Sequence, residues 1–411
     1  MLKEFVYDKS KTYIVGVSGG PDSMALLDML YKQNYILVVC LVNYNTREES
    51  ENEQKEVEKY CRSRGITFET INVLYYKKYG NFEAWAREVR YTFFKETAKR
   101  HSAEGVFIAH HQGDKLETYL MQKKRRIITK YYGLKEETLL MGMKVYRPLL
   151  DYRKEELINY CVKNNLFYSI DYTNLENDHL RNKIRNEILS KYEKKQIDEL
   201  LLKIETDNQK RSKNLEKVKK YENLDKIEIS SFLSLDEIEQ QLVIHQLIVN
   251  KVPEAINKLS WFRINEFIKL LSSDKPNVFL KVYGSYYFIR EYNFFYVDKI
   301  EEDKGYSYLM EEPSSLDTLY FSCDMNLDTS FLKITRESYP LTFRNVRVGD
   351  EVFIGDKKKK VNRLLIDEKV PLSKRKKYPV VVDNKGKIVY IPLYRSEIQK
   401  KIANKLKFML K

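Results

Sequence analysis

Val15-Gly16-Val17-Ser18-Gly19-Gly20-Pro21-Asp22-Ser23 sets a glycine-rich turn between two different hydrophobic patterns. Tyr13 to Val17 predicts a short buried strand, and Met24 to Tyr31 predicts the start of an amphipathic helix. Glycines in that position let backbone N–H groups close on an anion at the positive end of the helix. No lysine follows, so the turn is not a Walker-type loop; it reads as a cradle for the phosphates of ATP. Working outward, Thr12–Val17, Ile36–Asn43, Thr67–Val73 and Gly105–Ala109 are short runs rich in Ile, Val and aromatic residues, each followed by a helical pattern. Such alternation predicts an α/β domain with a parallel sheet covered on both faces. Ligands of these sheets sit at the carboxyl ends of the strands, here Ser18-Gly19-Gly20, Asn43 to Arg47 and His110-His111.

Beyond about residue 150 the pattern changes. Tyr152 to Gln209 is helix-rich, with Leu189, Tyr192, Ile197, Leu200, Leu201 and Ile204 marking a connecting helix. Leu235–Val249 and Ile256–Leu271 predict two helices, and Val278–Val297 predicts two aromatic strands about Gly284-Ser285. From about Phe331 short strands and turns dominate, in the most basic part of the chain. The expected domains are 1–210, 211–315 and 316–411, a number that 411 residues support. Lys and Arg number 73 against 59 Asp and Glu, a net charge of +14 that favours a polyanionic partner. Four widely spaced cysteines, none in a Cys-x-x-Cys pair, argue against a disulfide framework or a zinc site and for a reducing, cytoplasmic setting. No run approaches the roughly 18 apolar residues of a membrane span, and Met1 to Lys11 carries charges unlike a signal peptide.

Several residue patterns are compatible with chemistry. Asp114 and Glu117 lie three apart at the expected opening of a helix, so both can face the rim beside the two histidines. Spacing alone also fits carboxylates that complement a helix dipole. Adjacent histidines on an extended backbone point to opposite faces, so one of His110 and His111 belongs to the site. Arg87 and Arg90 are spaced as planar anion clamps or as solvated helix-surface residues. Lys123-Lys124-Arg125-Arg126, beside Tyr131 and Tyr132, and Lys374-Arg375-Lys376-Lys377 read equally as RNA-facing or solvated runs.

The loop resembles the Ser-Gly-Gly-x-Asp-Ser signature of PP-loop ATP pyrophosphatases, which split ATP between the α and β phosphates. Gly80-Asn81-Phe82-Glu83-Ala84-Trp85-Ala86-Arg87-Glu88-Val89-Arg90-Tyr91 is similar to a segment of the tRNA(Ile)-lysidine synthetases, as is His110-His111-Gln112-Gly113-Asp114-Lys115-Leu116-Glu117-Thr118. Arg147-Pro148-Leu149-Leu150, Asp171-Tyr172-Thr173-Asn174 and Arg181-Asn182-Lys183-Ile184-Arg185 follow in that family's order, with Arg347 to Asp350 and Leu364 to Pro371 resembling its carboxy-terminal domain. The resemblance implies a PP-loop catalytic domain, a small helix-rich domain and a small basic α+β domain that binds tRNA.

It further implies ligation of free L-lysine to C2 of the wobble cytidine of tRNA-Ile(CAU), through an adenylated cytidine, with release of AMP and pyrophosphate. Ser18, Gly19, Gly20, Pro21, Asp22, Ser23 and His110 would bind ATP. Asp22 would hold magnesium, since a carboxylate in an anion cradle repels phosphate unless a cation lies between, although capping the helix is its other reading. Asp114 and Glu117 would bind lysine, whose side-chain amine has a reference pKa of about 10.4 and must lose a proton. Asp22, Asp114, Glu117 and Arg87 are the expected catalytic residues. Arg90, Lys123, Lys124, Arg125, Arg181, Arg185 and Lys374 to Lys377 are those expected to meet tRNA. Three departures sit at the rim. Tyr44 replaces the family's histidine and Gly113 replaces an acid, while after Thr118 only Arg125 keeps its place. A divergent working enzyme is expected; a PP-loop enzyme using another nucleophile and a non-catalytic tRNA-binding relative are the alternatives. Monomer and homodimer are both open.

Overall fold

The computed structural model describes residues 4–45, 50–76, 81–169, 180–300, 305–327, 329–354, 357–393 and 397–411. Arg47, Gly80 and Asp171 to Asn174, which carry parts of the motifs above, lie outside them. The chain forms two compact units, Met1–Lys219 and Lys220–Lys411.

In the first unit β1 (Thr12–Gly16), α1 (Pro21–Lys32), β2 (Ile36–Asn43), α2 (Ser50–Arg62), β3 (Thr67–Asn72), α3 (Phe82–Arg100), β4 (Gly105–Ile108) and α4 (Gln112–Lys124) alternate as the sequence predicts. Two further strands, β5 (Glu137–Leu140) and β6 (Met143–Tyr146), extend the sheet to the order β3-β2-β1-β4-β6-β5. All neighbours pair in parallel except β5 with β6, a hairpin whose turn residues Met141 and Gly142 have φ of 52° and 80°. Ile14, Val15, Val39, Cys40, Val106 and Phe107 are wholly buried, because helices cover both faces. Tyr13, Val15, Val39 and Phe107 pack with α1, whereas Ile14, Val38, Cys40 and Val106 pack with Tyr91, Phe93 and Phe94 of α3. The strand order reverses beside β1, where the ends of β1 and β4 open a crevice.

Behind that crevice α1 is anchored by a buried carboxylate. Asp28 accepts hydrogen bonds from Tyr60 of α2 (2.7 Å) and from Tyr160 (2.6 Å) of α5 (Lys154–Lys163), and pairs with Lys32 at 2.8 Å. After α5 come α6 (Leu180–Lys183), a π-helical turn at Ile184–Ile188, and α7 (Lys194–Val218). Ile204 of α7, backed by Ile197, Leu200 and Leu201, packs on Leu116 and Tyr119 of α4.

The second unit begins with β7 (Ile227–Glu228), α8 (Ile229–Leu233), α9 (Glu237–Lys251) and α10 (Trp261–Leu271). Three strands occupy the segment read as two: β8 (Asn277–Tyr283), β9 (Tyr286–Glu291) and β10 (Phe294–Lys299), because a second turn at Tyr292 (φ 51°) divides the aromatic run. Downstream lie a four-stranded sheet, a three-stranded sheet and the hairpin Glu351–Ile354/Lys357–Lys360. All four cysteines are buried and unpaired. Among the described residues no helix is long and apolar enough to cross a membrane.

Candidate active site

The loop after β1 is built as an anion cradle. Gly19 has φ 78°, a conformation that favours glycine, and Pro21 opens α1 where its missing N–H costs nothing. Ser23 is spent inside the loop: its Oγ donates to the Gly20 carbonyl (2.9 Å) and accepts from the Ser18 N–H (3.2 Å). The loop is also tied from outside, since Ser169 N–H donates to Gly19 O (2.9 Å) and the Cys161 thiol donates to Pro21 O (3.3 Å).

A cleft of about 890 Å³ opens over this loop. Ser18, Gly20, Asp22, Lys154 and Ser169 lie along it, as do Tyr44, Phe82, Arg87, Arg90 and Arg181. Lys154 and Ser169 had no motif to mark them in the sequence. Burial pushes the Asp22 carboxyl up, opposed by neighbouring His111 and Lys154. Its Oδ1 is buried without a hydrogen-bond partner, an orphaned anionic oxygen of the kind a magnesium ion satisfies. Among the described residues no group of three or more His, Cys, Asp or Glu could hold a metal, so an ion here would need ligands from phosphate or water.

At the opening of α4 the two histidines diverge, as their adjacency predicts. His111 caps the helix, its Nδ1 accepting from Gly113 N–H at 3.0 Å, and Asp114 closes the box by accepting from His111 N–H at 2.9 Å. Nε2 of His111 stands 3.8 Å from Asp22 and 3.6 Å from Asp114, so this ring links the loop to the acid pair. His110, the ring expected to bind ATP, instead accepts from Nε of the buried Arg147 at 3.0 Å. Arg147 also donates to Lys135 O (3.0 Å) and Thr138 Oγ1 (2.9 Å). Burial pushes the His110 pKa down to about 3, leaving its ring uncharged at neutral pH.

Asp114 and Glu117 share one face of α4 and are both clamped by arginines. Arg181 donates to Glu117 (Nε, 2.7 Å) and to Asp114 (2.8 Å), while Arg185 donates twice to Glu117, at 2.6 and 3.2 Å. Burial works to raise the Asp114 carboxyl, but His111, Arg181 and the bond from the His111 backbone outweigh it and hold it below the usual carboxylate range. Arg181 and Arg185, expected to face tRNA, are thus committed to the acid pair in this structure.

The remaining basic residues separate by exposure. Arg87, Arg90, Lys124 and Arg125 are exposed, with Arg87 stacked over Tyr91. Lys123 is paired with Asp207 (2.7 Å), and Tyr132 packs on Tyr119 and accepts from Arg211. In the second unit Lys374, Lys376 and Lys377 are exposed, but Arg375 is buried and donates to Val370 O (2.8 Å) and the Tyr292 hydroxyl (3.1 Å).

Residues 1–192 match the family profile of a PP-loop domain. The chain is 32% identical to the tRNA(Ile)-lysidine synthase of Mycoplasma mycoides subsp. mycoides, over 94% of this chain and 97% of that one. It is 30% identical to the tRNA(Ile)-lysidine synthase of Bacillus thuringiensis subsp. konkukian, over 98% and 94%. Among solved structures, a U34-tRNA thiolase from Methanococcus maripaludis overlays 49% of this chain and 74% of its own at 17% identity, with a TM-score of 0.41.

Proposed function

Because the chain belongs to the tRNA(Ile)-lysidine synthase family, we propose that it is a ligase that joins lysine to the wobble cytidine of a tRNA-Ile bearing CAU, at the expense of ATP. The observation that carries this reading is one cleft bounded by the phosphate cradle and by Arg87, Arg90 and Arg181, with the acid pair of Asp114 and the buried Glu117 beside it. The N–H groups after β1 and the positive end of α1 hold the triphosphate. Asp22 would hold magnesium through its orphaned oxygen; the ion, when bound, neutralises phosphate charge. Arg87 and Arg90 orient the base and spread the charge that develops as the cytidine oxygen displaces pyrophosphate and becomes adenylated.

In the second step the amine of lysine displaces AMP. Asp114 receives the ammonium in place of its single bond from Arg181, while Glu117 stays clamped by Arg185. A carboxylate held below its usual range is a weak base, so Asp114 orients the ammonium; the amine attacks after losing one proton to solvent, and Asp114 accepts the second proton as the carbon–nitrogen bond forms and AMP leaves. Exposed Lys124, Arg125, Lys374, Lys376 and Lys377 remain available for tRNA phosphates.

The test is incorporation of labelled lysine into a tRNA-Ile(CAU) transcript with ATP and magnesium, following AMP and pyrophosphate. Lysine transfer that requires ATP supports the reading. Pyrophosphate release without lysine transfer would assign a different nucleophile, and neither product would leave a non-catalytic tRNA-binding protein.

A further inference from the structure

The far wall of the cleft is aromatic. Tyr44, just past β2, and Phe82 on the first turn of α3 both line it, with ring centroids 5.8 Å apart. Trp85 and Tyr75 back them, Tyr75 lying 5.1 Å from Phe82 and 5.2 Å from Trp85. Tyr44 is pinned by a hydrogen bond from its hydroxyl to Ala86 O (2.9 Å), with Arg90 beside it. Phe82 keeps 37% of its surface exposed although it has ring partners on two sides, and it lines the cleft. Phe82, Ala86 and Arg90 are spaced four apart along α3 and all line the cleft, so an apolar ring and a guanidinium follow one another on a single helix face.

A ring beside a planar cation matches a nucleotide, with its base on the ring and its phosphate on the guanidinium. The phosphate cradle lies after β1, whereas this wall is built from the ends of β2 and α3. We infer that Tyr44 and Phe82 form a stacking platform for an unpaired nucleobase of an RNA loop, which holds the base in the cleft shared with the phosphate cradle. The inference rests on the tRNA reading above and adds the residues that would receive the base.

The chain has two tryptophans, so Trp261→Phe leaves Trp85 as the single reporter. The full-length Trp261→Phe protein is titrated with an anticodon stem-loop RNA without ATP or lysine, following Trp85 emission, and ATP binding is measured separately without RNA. Quenching by the loop RNA but not by a loopless duplex is expected. Phe82→Leu and Tyr44→Leu should each weaken loop binding on the order of tenfold, with ATP affinity retained, while Tyr44→Phe keeps the quench. Thermal midpoints check that each variant is folded. Loss of ATP affinity with unchanged loop binding would make adenine the occupant and overturn the RNA assignment. No change in either would reduce the rings to packing, and quenching by the duplex would overturn stacking. Loop binding is read without chemistry, so failure of lysine transfer would refute the ligase reading and leave the platform standing.

Discussion

Glu117 and Arg185 offer a quantitative test of the clamp on the acid pair. The Glu117 side chain is 2% exposed and accepts from Arg185 Nε at 2.6 Å; Arg185 is 31% exposed. Charge-assisted hydrogen bonds contribute about 1.5–3 kcal/mol. Partial exposure of the guanidinium screens the pair toward the lower end, about 1.5–2 kcal/mol. Arg62 and Glu58 are an internal control, as close at 2.8 Å but 81% and 40% exposed, and expected to contribute about 0.5 kcal/mol or less. A double-mutant cycle with Glu117→Gln and Arg185→Met should therefore give a coupling several times that of Glu58→Gln with Arg62→Met. Urea unfolding followed by Trp85 fluorescence in the Trp261→Phe background reads the first unit by itself. Distance alone predicts equal couplings for the two pairs; burial predicts unequal ones. Equal couplings would refute the claim that burial of Glu117 makes its clamp strong.

Three further outcomes follow from the geometry. A Cβ at Gly113 would lie 2.7 Å from Cε1 of His111, so Gly113→Ala should swing the ring off its cap and lower first-unit stability by about 1 kcal/mol, seen as a reduced urea midpoint. The folded pKa of His110, about 3, lies below the unfolded value of about 6.5, so the unfolded state takes up the proton first and stability falls as pH drops between them. His110→Gln should flatten that fall; equal slopes in both proteins would place the titration elsewhere. Replacing Lys374, Lys376 and Lys377 by Ala should reduce the salt slope of tRNA binding by about one per phosphate contact without moving the thermal midpoint, whereas Arg375→Met should destabilise the second unit.

What the sequence disclosed depended on how local each signal was. The β1 loop and α1 were legible because glycine turn, proline start and apolar strand are contiguous, and the acid pair because an interval of three puts both carboxylates on one helix face. The arginine clamps were not, since Arg181 and Arg185 reach Glu117 from 64 and 68 residues away and nothing local distinguishes them from RNA-facing cations. Arg147 on His110 and the inward turn of Arg375 were hidden for the same reason. The β5–β6 hairpin was missed because two four-residue strands about a Met-Gly turn give too short an alternation to stand out.

The sheet's two edges are finished differently. β5, the outer arm of a hairpin, ends one, and β3, with which no further strand pairs among the described residues, ends the other. Glu69 sits in the middle of β3, bonded to Arg100 and His101 at the end of α3. A strand from a second molecule that zipped onto β3 would have to cover this charged cluster and strip its water, a cost that backbone hydrogen bonds alone would not offset. The charge around Glu69 thus disfavours edge-to-edge pairing at β3 as a way of continuing one sheet into the next.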